Sequence, residues 1–157
     1  MKKKLSLILI LVCVVMAFTG VVMFVVLQGQ SNPKANTVIE LNGETRKNLK
    51  AELTGFYPGN EQEYKITLTG EEAENYVVTL NFRGNNDGGA LENYLTVTIT
   101  TKDVKVEKQL KDLLDGEKLE LGKNASDITI TYAMSEDADN AAQGATADFY
   151  IELTAKK

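Results

Sequence analysis

Hydrophobic and polar residues alternate along most of the chain beyond residue 37. In five runs a hydrophobic residue recurs at every second position, mostly with polar residues between. This period-two pattern predicts β-strands that place one face on a core and the other face in water. The hydrophobic positions are Tyr64, Ile66 and Leu68; Tyr76, Val78, Leu80 and Phe82; Leu95, Val97 and Ile99; Ile128, Ile130, Tyr132 and Met134; and Phe149, Ile151 and Leu153.

Turn residues separate these runs and leave room for shorter strands. Tyr57-Pro58-Gly59-Asn60 is a turn sequence in which Pro sets φ and Gly accepts a positive φ. A glycine- and asparagine-rich loop covers residues 84–89. Weaker strand candidates are residues 38–41, 49–53, 104–106 and 118–121.

One short helix is predicted over residues 107–114. Leu110, Leu113 and Leu114 have the spacing of one helix face, and Gly116 follows as a stop signal. Seven to nine short strands with a single helix predict an all-β fold, an antiparallel β-sandwich. A parallel α/β fold would need a helix between successive strands, and the sequence supplies one helix candidate.

The N-terminal segment differs sharply from the rest. Lys2, Lys3 and Lys4 precede an uncharged apolar run, residues 5–27, which as a helix spans roughly 34 Å and can cross a bilayer. The lysines would stay cytoplasmic and the C-terminal part would be exported. The predicted organisation is a signal anchor or signal peptide over 1–27, a polar linker over 28–37, and an extracellular β-sandwich domain over 38–157.

Retention and cleavage of residues 5–27 both remain open. The basic start suits a secretory signal, but the apolar run is long and no A-x-A sequence follows it. If uncleaved, the segment makes the membrane a partner and places the domain on the outer face of the plasma membrane; if cleaved, the protein is secreted. Cys13 lies in the middle of the run and is interpreted as a membrane-buried apolar residue.

Composition excludes several kinds of chemistry. The chain has no His, so it has no His-based nucleophile pair, general base or metal ligand. One Cys excludes an intramolecular disulfide and a Cys-cluster metal site. The net charge of −5 argues against a nucleic-acid partner, since such proteins need a basic face. The sequence therefore predicts a non-enzymatic protein.

Three polar or acidic stretches and the tyrosines are the remaining candidate sites. Glu71, Glu72 and Glu74 form a cluster that is interpreted as solvated. Oxygen ligands crowd residues 135–140 and, in a second loop, residues 85–87, although neither stretch matches an EF-hand. No cofactor is predicted, with Ca²⁺ kept as an alternative. The tyrosines could form a sugar-stacking platform, but most of them lie at alternating inward positions and are assigned to core packing. The candidate calcium ligands are Asp137, Asp139 and Asn140.

The C-terminal stretch carries a more specific signal. Strand 128–134 is followed by an acidic loop, then N-x-x-Q-G formed by Asn140, Gln143 and Gly144, then a last alternating strand ending in T-A. This resembles the closing strand of the TasA/camelysin family of exported Firmicutes proteins, where N-x-x-Q-G leads into a strand ending near A-T-Q. Residues 53–60 resemble that family's early L-x-P-G-D/N segment. The resemblance covers roughly residues 49–69 and 128–155.

The resemblance implies a jelly-roll-like sandwich that serves as an extracellular matrix or fibre subunit. In such fibres the N-terminal segment of one subunit completes the sheet of the next. Carried over to this chain, the donor segment would be Thr37, Val38, Ile39, Glu40 and Leu41. The peptidase activity claimed under the camelysin name is not carried over, because the chain has no His and hence no H-E-x-x-H helix.

Two functional hypotheses follow. The first is a structural subunit or assembly component of the extracellular matrix or envelope, which acts through strand-edge or face contacts with its own copies or with other surface proteins. The second is a membrane-anchored extracellular binding module for a glycan or a partner protein.

Overall fold

Nine strands pair into two sheets in the part of the chain that the structure describes. The computed structural model describes residues 35–84, 90–140 and 142–157. One sheet has five strands in the order β1-β3-β8-β5-β6, and the other has four in the order β2-β9-β4-β7. The strands are β1 Ala35–Glu40, β2 Thr45–Leu53, β3 Glu61–Thr69, β4 Val77–Gly84, β5 Leu95–Thr100, β6 Lys105–Gln109, β7 Lys118–Gly122, β8 Asp127–Met134 and β9 Ala147–Lys156.

Eight of these strands have the connectivity of a jelly roll. Strands β2-β9-β4-β7 and β3-β8-β5-β6 form two antiparallel four-stranded arrays, and consecutive strands often lie in opposite sheets. The predicted β-sandwich is confirmed. The expectation of purely antiparallel pairing was wrong for β1, which pairs with β3 in parallel along six residues.

The core lies between the two sheets and is built from the alternating positions. The hydrophobic residues of the five predicted runs are buried, apart from Tyr64, which is half-buried. Tyr132 of β8 meets Phe149 of β9 edge to face, with ring centroids 6.1 Å apart, so this contact joins the two sheets. Phe149 also packs on Phe82 of β4 at 5.9 Å.

The predicted helix is shorter than expected. Helix α1 covers Leu110–Leu114, and its three leucines are buried. Residues 107–109, assigned to the helix, instead belong to β6, where they pair with β5. Gly116 follows the helix with φ +99°, and its N–H donates to the carbonyl of Leu113, as expected for a stop. Two short 3₁₀ segments cover Ala73–Asn75 and Ala90–Asn93.

The predicted linker overlaps the first described strand. Strand β1 begins at Ala35, so the last three residues of the predicted linker 28–37 are strand, and the others lie outside the described residues. The chain divides into residues 1–33 and a compact unit of residues 34–157. The predicted apolar helix 5–27 also lies outside the described residues. Within the described ranges, none of the helices has the length and apolar character needed to cross a membrane.

Candidate functional site

The predicted donor segment, residues 37–41, covers the last four residues of β1, one of the two edge strands of the five-stranded sheet, and the residue that follows it. Ile39 and Leu41 enter the core and are each 5% exposed, whereas Val38, just before Ile39, is 68% exposed. The hydroxyls of Thr37 and Tyr64 share a hydrogen bond of 2.6 Å. No described strand pairs with the other edge of β1. The strand is therefore held on one side only, by its ladder to β3, by the buried side chain of Ile39 and by that of Leu41 just beyond its end.

The end of β1 is closely packed against the turn that follows β3. The N–H of Leu41 donates to the carbonyl of Thr69 at 2.7 Å, which extends the pairing one residue beyond the strand. Gly70 has φ +124°, and a Cβ there would lie 2.7 Å from the carbonyl oxygen of Leu41. Glycine is required at this position for both reasons.

The three candidate calcium ligands are exposed and engaged in local contacts. Tyr94 donates its hydroxyl hydrogen to Asp139 at 3.0 Å, and this bond raises the pKa of Tyr94 above its ordinary value. The Asn140 amide oxygen accepts from Gln143 at 3.2 Å. The backbone N–H of Asp137 donates to the hydroxyl of Ser135. Among the described side chains, the structure contains no group of three or more Cys, Asp or Glu arranged to hold a metal. The second candidate loop, residues 85–87, lies outside the described residues.

The N-x-x-Q-G motif forms the turn that leads into β9. The Gln143 side chain donates to Asn140, and Gly144 has φ +73°, which favours glycine. Backbone bonds from Ala142 to the carbonyl of Asp139 and from Ala145 to the carbonyl of Ala142 make two successive turns. The motif thus has a local structural role, namely to reverse the chain before Ala147.

The glutamate cluster after Gly70 is exposed, as predicted. Glu72 pairs with Lys157 at 2.7 Å, and this hydrogen bond lowers the pKa of Glu72 and raises the pKa of Lys157. At the same end of the sheet Glu44 pairs with Lys156 at 2.9 Å, which lowers the pKa of Glu44. Lys156 and Lys157 also line the cavity described below.

A charged cluster on the outer face of the four-stranded sheet was not predicted from the sequence. Glu152 of β9 has a side chain that is only 11% exposed, although it points away from the core. Its two carboxylate oxygens bind Arg46 Nε at 3.2 Å and Arg83 Nη2 at 2.6 Å. These are the two arginines of the chain. One largely buried carboxylate therefore holds both guanidiniums in place.

Asn81 completes this cluster from β4, on the row of residues that crosses β9 at Glu152. With its amide oxygen turned toward Arg83, it accepts from Arg83 Nε at 3.0 Å and from Nη2 at 3.2 Å. Asn81 is itself buried, being 9% exposed. Three neighbouring strands, β2, β9 and β4, thus contribute to one polar network.

The cluster lines a cavity of about 450 Å³ on the same face. Cationic residues outnumber carboxylates in its wall, in a chain that is acidic as a whole. Two of the lysines are those paired with Glu44 and Glu72 at the rim. The charged lining residues are Arg46, Arg83, Lys118, Lys156 and Lys157, with Glu120 and Glu152.

The tyrosines divide between core and surface. Tyr76 and Tyr132 are buried and Tyr64 and Tyr94 half-buried, in agreement with the prediction of core packing. Tyr57 and Tyr150 are 61% and 51% exposed. The alternation in β9 already places Tyr150 outward, since it lies between two inward residues. That pattern was the one sequence signal for this surface.

No protein-family model and no curated protein sequence match the chain. Similar solved structures include PliG from Aeromonas hydrophila, a periplasmic lysozyme inhibitor of g-type lysozyme, with 11% identity and a TM-score of 0.44 over 78% of this chain and 98% of that chain. PliG from Salmonella Typhimurium has 8% identity and a TM-score of 0.42, over 78% of this chain and 98% of that chain. The CUB1-EGF-CUB2 domains of rat MASP-1 have 16% identity and a TM-score of 0.41, over 75% of this chain and 42% of that chain. At TM-scores below 0.5 these likenesses carry no information about ligands or partners.

Proposed function

We propose that this protein is a non-enzymatic, exported cell-surface β-sandwich that contributes to assembly of the extracellular matrix or envelope. The position of β1 is the observation that carries the proposal. It is the first described strand of the chain, it has one neighbour, and it leaves backbone groups on its outer edge without a described partner. Such an edge can pair with another chain.

Strand exchange is the form of contact that β1 suits best. If β1 left β3, the backbone groups of β3 along six residues would lose their partners, and the core would open where Ile39 and Leu41 enter it. The same segment of a second copy would restore both the ladder and the two buried side chains. Membership of the TasA/camelysin family, whose fibres form in this way, remains part of the proposal.

A pair of cysteines across β1 and β3 tests strand exchange directly. Val38 and Thr67 are register partners on the outer face, and residues 28–157 contain no native Cys. We expect the Val38→Cys/Thr67→Cys variant of residues 28–157, oxidised during assembly at high concentration, to form covalent chains of subunits on a non-reducing gel. Oxidation of the dilute monomer beforehand should lock β1 within its own subunit and block assembly.

A matched pair within one subunit is the control. Thr98 of β5 and Glu107 of β6 are register partners on two consecutive strands. Neither strand is proposed to leave its own subunit. Thr98→Cys/Glu107→Cys should give only internal disulfides and leave assembly unchanged. If the Val38/Thr67 variant also gives only internal disulfides and stays monomeric at every concentration, the strand-exchange proposal is wrong.

The N-terminal residue of the native protein decides whether exchange is compatible with the membrane. Mass spectrometry of washed membranes and culture medium should find a chain that begins within residues 28–36 and lies outside the cell. If residues 5–27 are retained in the membrane, each β1 is tethered close to its own anchor, and this tether restricts its donation to a neighbouring subunit.

A second candidate function is an extracellular binding module for a glycan or a partner protein. The cavity on the outer face of the four-stranded sheet favours it, because this cavity combines fixed cations with hydrogen-bonding groups. The two functions use different sheets and are compatible in one molecule.

A further inference from the structure

The outer face of the four-stranded sheet places an exposed aromatic ring between two cations. Tyr150 of β9 stands directly opposite Arg83 of β4 on one side and Lys50 of β2 on the other. Side chains at directly opposite positions share a face, with Cβ atoms roughly 4.5–5.5 Å apart. Tyr150 is half-exposed, so its ring is available to a ligand.

The guanidiniums beside this ring are held in position before any ligand arrives. Glu152 engages Arg46 through Nε and Arg83 through Nη2. A guanidinium carries five N–H donors, so each arginine keeps donors for a second acceptor. Both arginine side chains are more than 60% exposed, in contrast to Glu152. Charge-assisted, paired hydrogen bonds from arginine suit carboxylates and phosphates.

The cavity that Arg46 and Arg83 line, next to Tyr150 on this face, also suits hydroxyl groups. Thr79, Thr154 and Asn81 offer neutral donors and acceptors, and Glu120 offers an acceptor. Lys118 adds a cation that forms no ion pair in the described part of the chain. A ligand that matches the whole face therefore carries an acidic group, several hydroxyls and a flat apolar ring face.

We propose that this face binds an acidic pyranose unit of a glycan, bearing a carboxylate or a phosphate, with the sugar ring on Tyr150 and the acid at Arg83 and Arg46. The proposal deepens the binding-module function stated above. It does not depend on strand exchange, because β1 belongs to the other sheet. A neutral sugar would satisfy the ring and hydroxyl contacts alone, and inorganic phosphate would satisfy the arginines alone.

Saturation-transfer NMR on the full chain tests this ligand class. The protein is kept in a zwitterionic detergent without a sugar headgroup, and the probes are glucuronate, glucose 6-phosphate, glucose and inorganic phosphate. We expect ring-proton saturation for the two acidic sugars and about tenfold weaker binding of glucose, which lacks the charged contact. Inorganic phosphate, followed by its ³¹P signal, should compete only weakly with glucose 6-phosphate.

Two variants and two matched controls locate the site. Tyr150→Ala removes the ring without touching Glu152, and Arg83→Gln removes the acid contact; each should weaken binding of both acidic sugars several-fold. Tyr57→Ala removes the other exposed tyrosine, and Lys105→Gln removes an exposed cation on β6 of the opposite sheet. Both controls should bind like the native chain. Melting curves confirm that each variant is folded.

The probes also separate the two sources of acidic sugar. Binding of glucuronate alone points to a uronic-acid polymer, and binding of glucose 6-phosphate alone to a sugar-phosphate polymer; either result supports the proposal. Equal binding of glucose would overturn it, as would full binding by Tyr150→Ala. If neither the native chain nor any variant binds a sugar, and Arg83→Gln changes only the sedimentation coefficient, a second copy of the chain occupies this face and the proposal is wrong. None of these readouts depends on strand exchange.

Discussion

The first and last strands of the sandwich are held in opposite ways. β9 runs through the middle of its sheet, paired with β2 on one side and β4 on the other, and its five inward side chains are at most 3% exposed. β1 lies at an edge with β3 as its one described neighbour, and among residues 36–40 Ile39 is the buried side chain. Leu41, just after the strand, adds a second anchor.

This difference indicates which of the two strands contributes less to the stability of the fold. Complete burial of an Ile or Leu side chain contributes roughly 1.5–3 kcal/mol, so the two β1 anchors contribute roughly 3–6 kcal/mol before any cost of ordering the strand. β9 combines two ladders with a larger set of core contacts. Loss of β9 would dismantle the sandwich, whereas loss of β1 would leave the eight strands of the jelly roll paired, with the edge of β3 newly exposed.

The largest expected effect is therefore a charge placed in β9. Ile151→Asp puts a carboxylate at a position that is 1% exposed. Burial of an unpaired charge should cost more than about 4 kcal/mol, a large share of the roughly 5–15 kcal/mol that stabilises a domain. Circular dichroism should show a strongly lowered melting temperature or no cooperative transition.

The neighbouring residue provides the control for Ile151→Asp. Tyr150→Asp places the same carboxylate on the outer face, between Lys50 and Arg83. Its effect should stay within about 0.5 kcal/mol, as for most surface substitutions. Similar losses from both variants would mean that β9 is not divided into a core face and a solvent face.

Most of the sandwich could be predicted from sequence because burial imposes a period of two. The alternation fixed the inward face of β3, β4, β5, β8 and β9. The prediction was wrong for residues 107–109. The spacing typical of a helix face comes from Leu110, Leu113 and Leu114, and pairing with β5 makes the three preceding residues part of a strand. The parallel direction of β1 has no local signal, since alternation of Ile39 and Leu41 is the same in either direction.

The outer-face cluster could not be predicted for a different reason. Arg46, Arg83 and Glu152 lie far apart in sequence and meet only through the register of β2, β9 and β4. Alternation correctly directs Glu152 outward, but outward positions are normally solvated. Its burial depends on two arginine side chains and Asn81 covering it, and no local pattern encodes that arrangement.

The second prediction measures how firmly β1 is anchored. Ile39→Ala should lower the free energy of unfolding by about 2–4 kcal/mol, because it removes a buried side chain and leaves a cavity. It should also speed hydrogen exchange of β1 amides more than those of β9. Val38→Ala, at the adjacent exposed position, should cost less than about 0.5 kcal/mol. Equal effects in urea denaturation would show that Ile39 is not an anchor.

The third prediction concerns the turn that fixes the end of β1. Gly70→Ala should destabilise by about 1–3 kcal/mol, since it combines a strained positive φ with a clash against the carbonyl of Leu41. Gly43→Ala is the matched control: φ is +72°, but a Cβ there meets nothing within 4 Å. It should cost only about 1 kcal/mol. A larger loss for Gly43→Ala would contradict the close packing of Leu41 on this turn.

The smallest expected effect is a gain in stability rather than a loss, and it concerns Tyr132, where β8 packs on β9. The Tyr132 hydroxyl is buried and has no hydrogen-bond partner among the described residues. Tyr132→Phe removes this hydroxyl but keeps the ring on Phe149, and should be neutral or stabilising by up to about 1 kcal/mol. Tyr64→Phe, the matched change on β3, removes the bond to Thr37 of β1 and should destabilise by about 1 kcal/mol.

Alkaline pH should widen the gap between these two variants. Burial, and to a smaller extent the nearby Tyr64, raises the pKa of Tyr132 above its ordinary value of 10.0. The folded state therefore keeps its proton while the unfolded state loses it, so stability from this group falls as the pH rises past that value. Tyr132→Phe lacks this loss and should retain more of its stability above pH 10 than the native chain. Urea denaturation at pH 8 and pH 10.5 measures both variants. If Tyr132→Phe is destabilised as much as Tyr64→Phe, the buried Tyr132 hydroxyl has a hydrogen-bond partner, and the core beside β9 is more polar than the surrounding residues indicate.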